Sequence, residues 1–546
     1  MPEPSLNTQP AATGRASRWP VLACGAVWLA YVLVRILAIP SDALVSGGFC
    51  HDCAYLANVA GNLHAGKGYV LDALWLVYLQ PASLPMAYHN GAPLFPTLVA
   101  GLMAPLGVGG VKAGLLVAAL SSPALILALL FLVRRWVSSF PAAFGIACAV
   151  ALFPPVWDLS WVAITDELWI ALLIAFLAAL VRSERLSMAA WAGVFLGLAW
   201  LTRIAAISLV PGLGLWLLLT FGWRRAIPRG ILIGVLAAVV SLPWMIHTYK
   251  VWGDPLRSDT PTITASHIRA WDLPDQEVVR VWHMPDAPAP ASVVFRRDPV
   301  RYVKHYLMRL PASVRELIRS TTDSNYLALA CLALLMAAAI RLRGLSPWNP
   351  ALLAILLYTG VFTFFLSVDK YPPDGRYFVL VHALAAVWLA VSVYEVARGW
   401  AKGRAGLLPM AALGLAALYL GVGLLPSDIR IVRSRRGVDP YLDRYTKAAR
   451  AANSQIAHGA PVVVGYHPYL YTMATGAQAL AIPEADDGYL RSYMARYHAQ
   501  AVLLSDEERA FWRPAWETQA GVPTWLHPLG EVDGYWRYRL EDSGSR

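Results

Sequence analysis

Residues 112–133, KAGLLVAALSSPALILALLFLV, hold one charge, Lys112, and run straight into Arg134-Arg135. The hydrocarbon core of a bilayer is roughly 30 Å thick and takes about 20 apolar residues in a helix. The stretch therefore reads as a membrane span with a basic end. Ten more stretches pass the same test: 19–39, 139–157, 166–181, 187–202, 204–221, 228–249, 324–340, 348–368, 377–397 and 405–425. A twelfth apolar run, 93–108, is short and opens on Ala92-Pro93, which marks it as a juxtamembrane or re-entrant helix. The first run is long and no small-residue cleavage site follows it, so it is expected to remain as a span.

Composition agrees. Of 546 residues, 58% are hydrophobic and 14% charged, with a mean hydropathy of +0.50. A soluble domain carries about a quarter charged residues, so a soluble enzyme, a disordered chain and a coiled coil are excluded. The net charge of +11 points in such a chain to short basic cytoplasmic loops and not to nucleic acid. The 22 Trp and 24 Tyr suit the aromatic belts at membrane interfaces. Five cysteines are too few for a disulfide scaffold, and Cys24, Cys148 and Cys331 lie inside apolar runs.

Lys and Arg at alternating span ends divide fourteen to five, the richer set including Arg134, Arg135, Arg182, Arg185, Arg224 and Arg225. The positive-inside rule places those ends and the N-terminus in the cytoplasm. Counting 93–108 as a crossing would throw Arg134 and Arg135 outside. The expectation is an all-α polytopic protein of the cell membrane with about 11 spans plus interfacial helices. It has a cytoplasmic N-terminus (1–18), a transmembrane region (19–426) with outer loops at 40–111 and 250–323, and a tail (427–546) on the outer side. In the tail, Leu442, Tyr445, Ala449, Ala452 and Ile456 fall at helical spacing, while 461–465, 479–482 and 499–505 read as short strands. A small α/β domain follows.

Most residues with chemical potential cluster at the outer ends. Asp52, in Phe-Cys-His-Asp-Cys-Ala-Tyr, precedes a face of Tyr55, Leu56, Val59, Ala60 and Leu63 that describes an amphipathic interfacial helix; the residue is a candidate base or simply an N-cap. Asp166-Glu167 form the only acidic pair at an outer span end, able to hold a cation or a sugar hydroxyl, or merely to complement the helix dipole. Lys370 and Arg376 run against the charge bias, as does Arg203, which suits an anion as well as snorkelling to headgroups. Lys112 reads as a snorkelling residue, and His89 as positional. Cys50-His-Asp-Cys53 has metal-like spacing but no second cluster, which a zinc site requires. Ionisable residues within the spans are few, chiefly Arg35, His247 and His382, which argues against a polytopic transporter or lipid flippase, the alternative reading.

In order and spacing these motifs resemble the C-type (GT-C) glycosyltransferases that use lipid-phosphate sugars, in the branch of protein O-mannosyltransferases and lipid A aminoarabinose transferases. The resemblance rests on Asp52 in His-Asp-Cys-Ala-Tyr-Leu-Ala-Asn-Val-Ala, Gly66-Lys67-Gly68-Tyr69, His89-Asn90-Gly91-Ala92-Pro93-Leu94, Asp166-Glu167, Gly197-Leu-Ala-Trp-Leu-Thr-Arg203, Gly375-Arg376-Tyr377 and Val462-Val-Val-Gly-Tyr-His-Pro-Tyr469. Two departures are visible: the family commonly carries paired acids where this chain has His51-Asp52, and Ala92 replaces the first proline. The resemblance implies inverting transfer from a polyprenyl-phosphate sugar to a hydroxyl of a protein, a glycolipid or a cell-wall glycan, among membrane lipids at the outer surface. Asp52 would be the general base, with Asp166 and Glu167 orienting the acceptor or, together with Asp52, holding a divalent ion such as Mg or Mn. Lys67, His89, Arg203, Lys370 and Arg376 would bind substrate.

Overall fold

The computed structural model describes residues 19–541 except 90–91, 259, 274–277, 290, 323–374, 457–459 and most of 385–424. The expected spans 324–340 and 348–368, nearly all of 405–425, part of 377–397, and Lys370 lie outside the described residues.

The membrane region begins with α1 (Trp19–Leu37), α2 (His51–His64), α3 (Leu94–Leu106) and α4 (Gly110–Val133). It continues with α5 (Phe140–Ala151), α6 (Pro154–Leu159), α7 (Asp166–Leu180), α8 (Leu186–Thr202) and α9 (Val210–Trp252). Three described stretches, Trp19–Leu37, Gly110–Val133 and Ile204–Trp252, are long and apolar enough to cross a membrane. The expected span 139–157 is two helices, α5 and α6, because Pro154 and Pro155 cannot continue the α5 hydrogen-bond ladder. The third long stretch breaks at Gly222 (φ 66°, ψ 161°), a backbone state open to glycine. A methyl group on Gly230 would stand 3.6 Å from Leu217 Cδ1, yet in one straight helix these residues lie about 20 Å apart. The chain therefore doubles back, giving two arms at 204–221 and 228–249. Against the second arm packs α8, so closely that a methyl on Gly193 or Gly197 would meet the Ile233 or Ala237 carbonyl oxygen at 2.6 and 2.8 Å. That is small-xxx-small packing, which helices use where water supplies no hydrophobic drive.

The second loop carries α10 (Thr260–Arg269), α11 (Val278–His283), α12 (Ala291–Arg297) and α13 (Pro299–Thr322). In the tail are α14 (Leu425–Arg436), α15 (Pro440–Asn453), α16 (Pro468–Thr475), α17 (Asp487–Arg496) and α18 (Asp506–Trp512). The first loop contributes β1 (Val70–Leu71), β2 (Ala73–Leu74) and β3 (Met86–Ala87), and the tail β4 (Val462–Val464), β5 (Ala479–Ala481), β6 (Ala501–Ser505), β7 (Leu526–Val532) and β8 (Tyr535–Leu540).

A six-stranded sheet runs β2-β5-β4-β6-β8-β7, with β2, β5, β4 and β6 parallel and β8 and β7 antiparallel. Its first strand comes from the first loop: Ala73 pairs with Ala479 and Leu74 with Leu480. The second loop joins too, since His283 Nδ1 lies 2.6 Å from the Ile482 carbonyl oxygen and the Glu484 amide donates to the His283 carbonyl at 2.7 Å. All three pieces therefore meet in a single body, whose α/β part borrows an edge from residues 73–74.

Candidate active site

The first turn of α2 is the hub. Its N-cap is Cys50, whose Sγ accepts the Cys53 amide at 3.3 Å, so Asp52 is not spent on capping. The Asp52 carboxylate instead accepts a hydrogen bond from Arg376 Nη1 at 2.7 Å, across 324 residues of sequence. Arg376 belongs to a short 3₁₀ turn, Gly375–Phe378. The neighbouring Tyr377 places its ring 5.3 Å from the Arg376 guanidinium and 5.9 Å from that of Arg203, and its hydroxyl lies 3.5 Å from Arg376 Nη2. Arg203, just past the end of α8, in turn pairs with Asp166 at the start of α7. Two carboxylates, two guanidiniums and one phenol thus converge from four separate segments.

Burial pushes the Asp52 carboxyl up, but the charge and hydrogen bond of Arg376, with His51 and Arg203 adding, outweigh it and hold the group below the usual carboxylate range. Position in the first turn of a helix favours the same ionised form. Next to it, His51 is driven down to about 4 by burial and is neutral. Its ring sits 4.5 Å from Trp75, 5.4 Å from His467 and 5.2 Å from Tyr469, and Tyr469 also meets Tyr55 at 5.0 Å. The tail is thus seated on the turn that carries Asp52. The Val462–Tyr469 segment had signalled a tail domain, but nothing in it revealed this contact.

Other sequence candidates are placed elsewhere. Asp166 and Glu167 do not work as a pair. Asp166 faces Arg203, while Glu167, fully buried, turns into the bundle beside Ser122 and Arg35. Ser122 is itself 2.6 Å from the Tyr31 hydroxyl. The divergence follows from helix geometry, since successive residues point about 100° apart. Lys67 lies beyond the far end of α2, about 20 Å along it from Asp52, and stands 3.9 Å from Asp72. Asp72 is held by Asn58 and Asn62 at 3.2 and 2.7 Å, a pair at i and i+4 on one face of α2. His89 is buried, 6.2 Å from the ring of Tyr55, a residue about one helical turn beyond Asp52 on α2.

Among the described residues, no three His, Cys, Asp or Glu side chains gather as an ion-holding group. Asp52 and Asp166 each face an arginine, and Glu167 points away, so these three carboxylates do not fit a common metal site as they stand. Cys50 and Cys53 are free thiols.

This fold is shared with solved membrane glycosyltransferases of the GT-C class. ArnT from Cupriavidus metallidurans, solved bound to undecaprenyl phosphate, superposes with a TM-score of 0.56 at 14% identity, over 97% of this chain and 99% of that one. The Archaeoglobus fulgidus oligosaccharyltransferase, tethered to an acceptor peptide, gives 0.59 at 12% identity over 91% of this chain and 71% of that one, and the same enzyme has been solved with Zn and sulfate. The mycobacterial arabinofuranosyltransferase AftD gives 0.52 at 15% identity over 96% of this chain, which spans 40% of AftD. No family model matches the chain, and no curated protein matches it in sequence.

Proposed function

We propose that the protein is a membrane glycosyltransferase that moves a sugar from a polyprenyl-phosphate donor to an acceptor hydroxyl at the outer surface, with inversion. The observation that carries this reading is the Asp52–Arg376 pair at 2.7 Å, set beside the second arginine, Arg203. In the donor-free protein Arg376 quenches the base, because a carboxylate held low in pKa takes a proton poorly. A donor phosphate offers Arg376 a bidentate, charge-assisted partner where Asp52 gives it one hydrogen bond. When the guanidinium turns to the phosphate, Asp52 loses its partner and gains basicity. It then takes the proton from the acceptor hydroxyl as that oxygen attacks the anomeric carbon. The bond from that carbon to the phosphate oxygen breaks, and Arg376 and Arg203 meet the charge left on the phosphate. A divalent ion arriving with the donor would have to displace Arg376 from Asp52 or Arg203 from Asp166 before those carboxylates could ligate it.

The sugar and the acceptor follow from the cell and not from this geometry. Purified protein incubated with a synthetic short-chain polyprenyl-phosphate sugar and extracted surface glycan, glycolipid or protein should release polyprenyl phosphate and glycosylate one of them. Release without any dependence on Asp52 would overturn the proposal.

A further inference from the structure

The second loop holds a helix that the proposed reaction leaves unused. α13 is capped by Asp298, whose carboxylate accepts the Arg301 amide at 2.9 Å, and its 24 residues extend about 36 Å. The inner face is built into the protein. Arg309 is buried over the Trp271 ring at 4.9 Å, His305 stacks on the same ring at 4.9 Å, and the Leu317 carbonyl lies 3.4 Å from His382 Nε2.

The outer face is different. Val300, Val303, Leu307 and Val314 follow one another at three-, four- and seven-residue steps, which is one stripe of a 3.6-residue helix. They are 77%, 46%, 56% and 39% exposed, with Met308 beside them at 65%. Along one edge of the stripe stand the exposed Lys304 and Arg315, continued by the exposed Arg301 and Arg319. Residues 296–319 hold seven Lys and Arg against Asp298 and Glu316. The sequence enters the apolar run 324–340 directly after this helix.

We infer that α13 lies in the membrane interface, with its apolar stripe in the acyl boundary and its basic edge against anionic phospholipid headgroups. An amphipathic helix with cations along one edge is the pattern that takes this position, and anionic lipid draws Lys and Arg to the surface. Pairing of the same face with a second copy would set the two basic edges against each other. The inference concerns lipid and not the reaction, so it stands or falls apart from the transferase reading.

The test uses the full chain, with its native cysteines changed to serine, reconstituted in phosphatidylcholine alone or in an equal mixture with phosphatidylglycerol. Spin labels at Val303→Cys and Leu307→Cys should be more accessible to oxygen than to a nickel chelate, and a label at Arg296→Cys the reverse. Independently, native mass spectrometry of the otherwise wild-type protein should find Lys304→Glu/Arg315→Glu retaining phosphatidylglycerol at least about threefold less well. Chelate-accessible labels at 303 and 307, dipolar coupling between Leu307 labels on two copies, or unchanged phosphatidylglycerol retention would each overturn it.

Discussion

Of the carboxylate–arginine pairs that join distant parts of this chain, Arg435–Asp158 and Arg376–Asp52 differ in how completely each is made. Arg435 meets Asp158 through Nε and Nη2, both at 2.8 Å, and its remaining nitrogen, Nη1, donates to the Gly47 carbonyl at 3.0 Å. Arg376 meets Asp52 through one hydrogen bond, and its carboxylate partner is 43% exposed against 33% for Asp158. A guanidinium with every nitrogen committed is a clasp, here fastening α14 to α6 and to the first loop at Gly47. A guanidinium that meets its carboxylate through one nitrogen can turn to a phosphate without dismantling the fold. Sequence alone gave both arginines the same charge and left Arg435 unremarked; geometry separates them.

The largest effect that would sharpen this contrast is expected at Asp52. Asp52→Asn should lower the rate of transfer by about 10²–10⁴-fold with the protein still folded, since the cap of α2 belongs to Cys50. A variant that keeps more than about a tenth of the rate, far above that range, would reduce Asp52 to a structural partner. Next, Arg376→Ala should weaken donor use by about a hundredfold and Arg376→Lys by about tenfold, because an ammonium keeps the charge and loses the bidentate fit. Steady-state kinetics with donor varied at fixed acceptor reads both, and the affinity for acceptor should hardly move.

Acid should act where the tail meets α2. Burial holds His51 and His283 at about 4 and His467 at about 3, against an ordinary value near 6.5. Their contribution is complete above pH 6.5 and is lost as pH falls through the depressed values, at most about 1.4 kcal/mol per pH unit for each histidine. Hydrogen exchange should therefore show the tail loosening from α2 between pH 6.5 and 4. Uniform protection across that range would contradict the histidine account. The smallest effect is expected at the clasp: Arg435→Ala should cost about 1–2 kcal/mol of thermal stability, given its partial exposure. Transfer per folded molecule should stay near wild type, and a collapse of activity there would erase the distinction between the two pairs.

Much of the architecture was legible because membrane helices announce themselves by length and apolarity. The tail strands at 462–464, 479–481 and 501–505 fell where β-rich runs predicted them. The β7–β8 hairpin was also written in the sequence, in Asp533-Gly534, both at positive φ, the pairing such tight turns favour, but it went unread. What the sequence could not reveal was non-local. Nothing in Ala73-Leu74 signals that it will complete a sheet begun four hundred residues later. The split of Asp166 from Glu167 likewise depends on what stands on each side of α7. Arg376 stands out because it breaks the charge bias and Asp52 as a candidate base; their pairing does not, since opposite charges far apart in sequence carry no mark of which will meet.

In the proposed reaction donor phosphate takes Arg376 away from Asp52. Binding of a short-chain polyprenyl phosphate to wild type and to Asp52→Asn, measured by titration calorimetry in the same membrane mimetic, tests it most directly. Asp52→Asn should bind the lipid phosphate more tightly, by severalfold or about 1 kcal/mol, because Arg376 has lost its competing carboxylate, while transfer is abolished. Weaker binding in Asp52→Asn, with transfer lost alongside it, would show that Asp52 builds the phosphate site and does not compete for its arginine.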